Sequence, residues 1–154
     1  MLEEKLEKYF FEANKHIKLI KEALVVLKDD LPISDYNKLS QLQNFALNAL
    51  IFRFSKLQDL LGSKIFRNYL DFSGYETKEK SFFDLLKEIE KEGIIDIDSW
   101  NEFRVIRNSI AHEYPQEEDE IDENLNLLVE KADELIKISQ KIESRYYEIK
   151  QKRG

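Results

Sequence analysis

Apolar residues in the first 28 positions recur at steps of three and four, the spacing that places side chains on one face of an α-helix. The stripe consists of Leu2, Leu6, Tyr9, Ala13, Ile17, Ile20, Leu24 and Leu27. It predicts a first helix that runs to about Lys28, where Asp-Asp-Leu-Pro ends it. Four glycines and two prolines in 154 residues supply few of the turns that an all-β fold needs. We therefore predict an all-α, up-and-down bundle of four to five helices, with residues 1–154 as a single domain.

The second predicted helix begins after Pro32, with Ser34 or Asp35 as its cap, and runs to about Leu61, where Gly62 permits a break or bend. It carries two neighbouring apolar stripes, one with Leu39, Leu42, Ala46, Ala49 and Leu60, and another with Leu47, Leu50, Phe54, Leu57 and Leu61. A helix that is apolar around most of its circumference lies at the centre of a bundle or at a subunit interface. We therefore expect a homodimer.

The remaining sequence predicts further helices. Residues 63–70 suit a continued helix and residues 71–77 a loop. Ser81 is expected to cap a short helix, Phe82 to Glu92, that Gly93 closes. Ser99 and Glu102 form a capping-box pattern that starts the next helix at about Trp100, and Pro115 hinders its continuation. Apolar residues at near-heptad spacing between Ile121 and Ile149 predict a long final helix.

The composition of the chain excludes several kinds of functional site and argues against others. Because the chain has no cysteine, thiolate nucleophiles, disulfides and cysteine-based zinc sites are excluded, and a reducing compartment is favoured. The N-terminus lacks the pattern of a signal peptide, and no apolar run approaches the roughly 20 residues that cross a bilayer. We expect a cytoplasmic protein with no membrane association. The net charge of −7 argues against general coating of nucleic acid.

Charge is distributed unevenly along the chain. Residues 117–134 contain nine acidic residues against Lys131 alone, a local balance of −8. Residues 50–70 contain Arg53, Lys56, Lys64 and Arg67 against Asp59, a local balance of +3. Arg53 and Lys56, together with Arg104, are the candidate RNA-binding side chains. The alternative is that these residues only keep mixed helix faces solvated.

The most specific segment is Arg-Asn-Ser-Ile-Ala-His-Glu-Tyr at residues 107–114, which holds one of the chain's two histidines. Side chains four or seven apart share a helical face, so Arg107 is expected to align with Tyr114, and Asn108 with His112. An imidazole can move a proton near neutral pH, and a guanidinium can hold a phosphate through two hydrogen bonds. Together they supply the groups for phosphodiester cleavage without a metal or other cofactor.

A structural interpretation of the same residues stays open. Arg107 could pair with an acid, His112 could interact with the C-terminal end of the helix dipole, and Tyr114 could pack. His16, one turn after Glu12, is the other histidine, and a lone helical histidine is more often structural than functional.

The pattern Arg107-Asn108-x-x-x-His112-x-Tyr114, at the end of a penultimate helix in an all-α chain of this length, resembles the HEPN superfamily. The closest likeness is to the HEPN partners encoded beside minimal nucleotidyltransferases in prokaryotes. The likeness in helix order and length covers the whole chain, but only residues 107–114 are diagnostic.

The resemblance implies a metal-independent endoribonuclease toxin of a toxin-antitoxin module, in which the motifs of two subunits face one cleft. Arg107 would hold the scissile phosphate, Asn108 would orient it, and His112 would act as the base on a ribose 2′-hydroxyl. A cognate nucleotidyltransferase would silence the toxin by AMPylation of Tyr114. A second branch of similar proteins is implied to be a non-catalytic substrate-binding subunit of a nucleotidyltransferase. The acidic segment after the motif favours this branch, while the complete motif favours the toxin.

Overall fold

A computed structural model of the chain describes the backbone of residues 1–111 and 118–154, and all of these side chains except those of residues 110, 111, 118 and 119. The α-helices are α1 (Leu2–Leu27), α2 (Gln41–Leu60), α3 (Phe66–Phe72), α4 (Phe82–Lys91), α5 (Ile97–Ala111) and α6 (Glu118–Arg153). A π-helical turn, Leu61–Ile65, joins α2 to α3 without a break, so the described chain forms five helical rods. The all-α prediction is confirmed, since no strand occurs within the described ranges.

The segment between α1 and α2 differs from its prediction. Ser40 caps α2 through a capping box with Gln43, so the prediction of Ser34 or Asp35 as the cap is wrong. Asp35 caps only a short 3-10 turn, Tyr36–Lys38. The reason is tertiary, because Asn126 on α6 exchanges two hydrogen bonds of 2.7 and 2.9 Å with the backbone of Ile33. These contacts hold the connector against α6 and delay the start of the helix.

The start of α5 also differs from its prediction. Asp96 accepts hydrogen bonds from the backbone N–H groups of Asp98, at 2.8 Å, and Ser99, at 3.3 Å. Asp96 therefore takes the capping role that the sequence pattern gave to Ser99, and α5 begins at Ile97. The prediction for α4 is confirmed, with Ser81 capping the helix and Gly93 following it at a φ of +73°.

Two aromatic clusters hold the helices together. In one, the Tyr146 ring of α6 packs between Phe10 of α1 and Phe72 of α3, with ring centroids 5.3 and 4.7 Å apart. In the other, the Trp100 ring of α5 packs against Phe66 of α3 at 4.9 Å and against Phe103 at 5.7 Å. All six side chains are at most 6% exposed. The second cluster fixes α5 against the α2–α3 rod and so positions the segment that leads into the motif.

No helix in the described part of the chain is both long enough and apolar enough to cross a membrane.

Candidate functional site

Arg107 and Asn108 lie in the last turns of α5, which ends at Ala111. The Arg107 side chain is half-buried and that of Asn108 is exposed, so both can be reached from solvent. His112 and Tyr114 lie outside the described residues, and so do their predicted alignments with Asn108 and Arg107. The described half of the motif therefore consists of a guanidinium and a carboxamide on the final turns of a helix.

Arg107 forms an ion pair with Asp59 of α2, in which Nη1 donates to Oδ1. The two side chains are 36% and 47% exposed, so water and salt screen the pair. Such exposed pairs contribute about 0–1 kcal/mol to stability. A guanidinium has five N–H donors, so one that pairs with Asp59 through Nη1 has further donors with which it can bind a phosphate. The ion pair agrees with the structural interpretation, in which Arg107 pairs with an acid. Because the pair is exposed and weak, Arg107 can also bind a phosphate, as the functional interpretation requires.

The Arg107–Asp59 pair borders a cavity of about 290 Å³, which we call the site cavity. Among the described residues, its lining comes from the end of α2 and the π turn (Gln58, Asp59, Gly62, Ser63), the first residue of α4 (Phe82) and α5 (Trp100, Arg104, Arg107). Gln58 and Trp100 are buried, while Asp59 and Arg104 are exposed and Arg107 is half-buried. The cavity thus opens to solvent beside two arginines and one carboxylate.

Two buried polar atoms of this cavity lack a partner among the described residues. Gln58 is 3% exposed and its Oε1 accepts no hydrogen bond, and Trp100 is 1% exposed and its Nε1 donates none. A buried polar group left unsatisfied costs about 1–3 kcal/mol, so folded proteins hold few of them. Both residues line the cavity, but the two atoms themselves have almost no surface that solvent can reach.

Gly62 and the π turn shape the wall of the cavity. A β-carbon added at Gly62 would lie 3.2 Å from Trp100 Cζ2 and 3.6 Å from Phe82 Cζ, closer to the indole than most such contacts. Glycine therefore lets the backbone approach the tryptophan ring. The π turn, Leu61–Ile65, adds a residue to the helix at this point, a distortion frequent at functional sites. The sequence predicted only a break or bend at Gly62, and the structure shows a continuous helix with this bulge.

The three predicted RNA-binding side chains have different surroundings. Arg104 is exposed and lines the site cavity together with Arg107. Lys56 is exposed on α2, with its ammonium 5.5 Å from the centre of the Phe52 ring. Arg53 is only partly exposed and places Nη1 3.2 Å from Nδ1 of His16. The structure therefore brings Arg104 to the site, while Arg53 also serves a contact between α1 and α2.

His16 is buried between α1 and α2, with 7% of its surface exposed. Burial lowers the pKa of its imidazole, and the nearby charge of Arg53 lowers it further, while Glu12 at 3.9 Å acts in the opposite direction. The neutral ring can accept a hydrogen bond from Arg53 at Nδ1. These contacts agree with the structural interpretation of His16.

A row of apolar side chains on α2 faces solvent. Leu42 is 63% exposed, Phe45 is 61% exposed and Phe52 is 52% exposed, and steps of three and seven residues place them on one side of the helix. Of the first predicted stripe, Leu42 and Ala49 are exposed, Leu39 is half-buried and Ala46 and Leu60 are buried, whereas all five members of the second stripe are buried. The fold of one chain therefore covers the second stripe and part of the first. It leaves exposed an apolar surface that includes Phe45 and Phe52, which belong to neither predicted stripe. We call Leu42, Phe45 and Phe52 the exposed α2 face.

A few residues of the acidic segment have partners within the protein. Lys131 of α6 lies 2.7 Å from a carboxylate oxygen of Glu102 on α5 and 3.0 Å from one of Glu134. These contacts raise the pKa of Lys131 and connect α5 to α6. Asp122 accepts a hydrogen bond of 3.0 Å from the backbone of Tyr36. Asp122 and Glu134 therefore have structural roles.

The sequence did not identify Gln58 and Trp100 as residues that line the site cavity. Gln58 and Trp100 are 42 positions apart, and neither belongs to a recognised motif. The signals that could have drawn attention to them were the single tryptophan of the chain and the glycine at position 62 within an apolar helix. Asp59 was noted only as the one acid in a basic stretch, and its pairing with Arg107 depends on the packing of α2 against α5.

The fold and this cavity define an all-helical protein with a small, partly open site next to an arginine-bearing helix end. Comparisons with protein-family models, with curated proteins and with solved structures find no match for this chain.

Proposed function

We propose that the protein is a metal-independent endoribonuclease, the toxin of a prokaryotic toxin-antitoxin module that a cognate nucleotidyltransferase neutralises. The main support for this proposal is the position of Arg107. Its guanidinium is reachable from solvent in the last turns of α5, beside the site cavity, and five positions before His112 in the sequence.

In this proposal each group has a chemical task. Arg107 holds the scissile phosphate by charge-assisted hydrogen bonds, and Asn108 orients it. His112 takes the proton of a ribose 2′-hydroxyl, whose oxygen attacks the adjacent phosphorus. The P–O5′ bond breaks, the 5′ oxygen takes a proton from water, and His112 returns its proton to water, so that the products are a 2′,3′-cyclic phosphate and a 5′-hydroxyl. Arg104, at the same cavity, adds positive charge for the RNA backbone.

The proposed enzyme is a HEPN-like homodimer that brings two motifs to one cleft. The exposed α2 face supports this part of the proposal, because three large apolar side chains on one helix leave a surface for a second copy to cover. Asp59, which pairs with Arg107, lies seven residues beyond Phe52 on the same helix. The exposed α2 face and the site therefore lie on the same side of the helix. A dimer that forms through this face would bring the two sites close together.

The experiment that tests the proposal measures cleavage of single-stranded RNA by the purified protein in the presence of a chelator. We expect cleavage by the wild type and a loss on the order of 100-fold or more with Arg107→Ala and with His112→Ala. Arg153→Ala, which removes an exposed arginine at the end of α6, is the control and should keep full activity. Intact RNA with every preparation would refute the nuclease proposal.

A second candidate is a non-catalytic substrate-binding subunit of a nucleotidyltransferase. The ion pair with Asp59 favours it, because a carboxylate against Arg107 weakens the attraction of an RNA phosphate. This candidate predicts tight binding of a nucleotidyltransferase by a protein that leaves RNA intact. Copurification of the two proteins, followed by the same cleavage assay, separates the candidates.

A further inference from the structure

We propose that a groove between the α1–α2 connector and α6 is the surface on which the cognate nucleotidyltransferase docks. The partner would contribute a segment that carries two basic side chains with an apolar side chain between them. The groove has a volume of about 550 Å³, and its lining includes Leu31, Pro32, Glu123, Leu127, Val129 and Glu130. We call it the acidic groove. The identity of this partner rests on the proposed function, whereas the surface and its chemistry are additional to it.

Four of the lining side chains are apolar and incompletely covered. Leu127 of α6 is 37% exposed, Leu31 and Val129 are half-buried, and Pro32 is exposed. Burial of such a surface against an apolar side chain of a partner is favourable, because it removes apolar area from water. The apolar lining therefore supplies a reason for association.

Two carboxylates flank this apolar surface. Glu123 and Glu130 are seven residues apart on α6, which corresponds to about 10.5 Å along the helix axis, and Leu127 lies between them on the same side. Neither glutamate has an ion pair or a side-chain hydrogen bond among the described residues, whereas Asp133 on the same helix pairs with Lys137 at 3.0 Å. Two cationic side chains about 10 Å apart would complement them.

The helix dipole does not account for both glutamates. Acidic residues at a helix N-terminus are stabilised by the dipole, but the effect falls off within the first turn. Glu130 lies twelve residues beyond Glu118, the first residue of α6. Its charge at this position therefore has no counterpart in the fold of one chain.

The charges around the groove determine which kind of partner fits. Residues 117–134 contain nine acidic residues against Lys131, and Lys131 is bound by Glu102 and Glu134. Asp29 and Asp30 of the connector are exposed and add negative charge. Such a surface attracts a basic protein segment and repels the phosphates of RNA.

The groove is formed before a partner binds. Asn126 of α6 exchanges hydrogen bonds of 2.7 and 2.9 Å with the backbone of Ile33, the residue after Pro32. These bonds fix the wall that Leu31 and Pro32 contribute. A partner therefore loses little free energy to ordering of the connector.

The acidic groove is also near the proposed acceptor tyrosine in the sequence. Tyr114 precedes Glu123 by nine positions, and nine residues of any chain span at most roughly 32 Å. A small enzyme domain has a diameter of about 30 Å. One domain docked in the groove can therefore reach the tyrosine that it modifies.

The test measures binding of the purified nucleotidyltransferase to the full-length protein by titration calorimetry. The double variant Glu123→Gln, Glu130→Gln keeps the shape of both side chains and removes their charge. We expect its dissociation constant to rise about tenfold, the combined effect of two partly exposed ion pairs. The affinity of the wild type should fall as NaCl is raised from about 50 to about 300 mM, and that of the double variant should fall less.

A second variant and a control separate the contributions. Leu127→Ser should weaken binding but keep the salt dependence of the wild type, because it removes only an apolar contact. Glu4→Gln with Glu148→Gln makes the same change of charge at two exposed positions outside the groove and should bind as the wild type. Circular dichroism on each variant establishes that it is folded.

The outcomes separate the groove from the nuclease. Equal affinity of the wild type and the groove variants, or an equal loss in the control, would overturn the docking surface and leave the nuclease standing. RNA cleavage by a wild type that does not bind the nucleotidyltransferase would do the same. A dimer that dissociates in the groove variants would overturn the proposal by assigning the groove to a second copy. Groove-dependent binding by a protein that leaves RNA intact would support the docking surface and refute the nuclease.

Discussion

Arg107 and Asp59 are joined by an ion pair between α5 and α2 at the mouth of the site cavity. In the proposed mechanism this carboxylate competes with the RNA phosphate for the same guanidinium. Asp59→Asn should therefore raise the affinity for single-stranded RNA by up to about fivefold, the equivalent of an exposed pair worth up to roughly 1 kcal/mol. Fluorescence anisotropy with a labelled oligonucleotide measures the change.

The control for Asp59→Asn is Asp133→Asn, which makes the same change in an ion pair of 3.0 Å with Lys137 on the exposed side of α6. Both variants raise the net charge by one, so only a local effect distinguishes them. Equal gains in RNA affinity would show that Asp59 acts through overall charge and not through Arg107.

The exposed α2 face predicts the oligomeric state. We expect sedimentation at micromolar concentration to show a dimer of the wild type. The double variant Phe45→Glu, Phe52→Glu should raise the dissociation constant by about 100-fold or more, because an unpaired carboxylate buried in an interface costs several kcal/mol. Phe83→Glu, at a phenylalanine on α4 that is 53% exposed, is the matched control. A wild-type monomer would remove the shared cleft from the proposal.

His16 gives the protein a pH-dependent stability. Its pKa is lowered in the folded state, first by burial and then by Arg53, so the unfolded chain binds the proton more tightly. The stabilisation is therefore complete above the unfolded pKa of about 6.5 and declines as the pH falls toward the folded pKa.

Urea unfolding at several values between about pH 8 and pH 5 should show a free energy of unfolding that falls with pH. The fall should be smaller in His16→Gln. Because the two proteins differ only at residue 16, the difference between their slopes isolates His16. Identical slopes in the two proteins would mean that burial of His16 does not disfavour its charged form.

Tyr114 is the residue at which we expect the nucleotidyltransferase to regulate the proposed ribonuclease activity. Tyr114→Phe should keep ribonuclease activity within a few-fold of the wild type, yet escape silencing when the cognate nucleotidyltransferase and ATP are added, because the acceptor hydroxyl is missing. Intact-mass measurement of the wild type should show one or more AMP additions that peptide mapping assigns to Tyr114. Full silencing of the variant would indicate neutralisation by occlusion.

Local signals in the sequence predicted those parts of the fold that depend on neighbouring residues. The cap at Ser81 is correct because its partner, Asp84, is three positions away. The cap at Ser34 or Asp35 is wrong because Asn126, 93 residues from Ile33, holds the connector in another conformation. The periodicity of α2 predicted two apolar sides, but which of them the chain covers depends on how α1 and the other helices pack against it.

The candidate site also contains residues that the sequence could predict and residues that it could not. Arg107 and Asn108 could be predicted as site residues because the motif is contained in eight consecutive residues. Gln58 and Trp100 line the same cavity only because helices that are distant in the sequence pack together. The spacing of neighbouring residues does not predict such a cavity. The partner of Arg107 could be anticipated as an acid, but only the structure identifies it as Asp59.

In the proposed mechanism, His112 and Arg107 cleave RNA through attack by the 2′-hydroxyl. The most direct test compares a single-stranded RNA with the same oligonucleotide carrying one 2′-deoxyribose at the mapped cleavage position, both in chelator. The proposal predicts that the RNA is cut to a 2′,3′-cyclic phosphate and a 5′-hydroxyl, while the substituted oligonucleotide binds with similar affinity and stays intact at that position. Cleavage of both oligonucleotides at the same position would contradict the mechanism, and cleavage of neither would contradict the assignment as a nuclease.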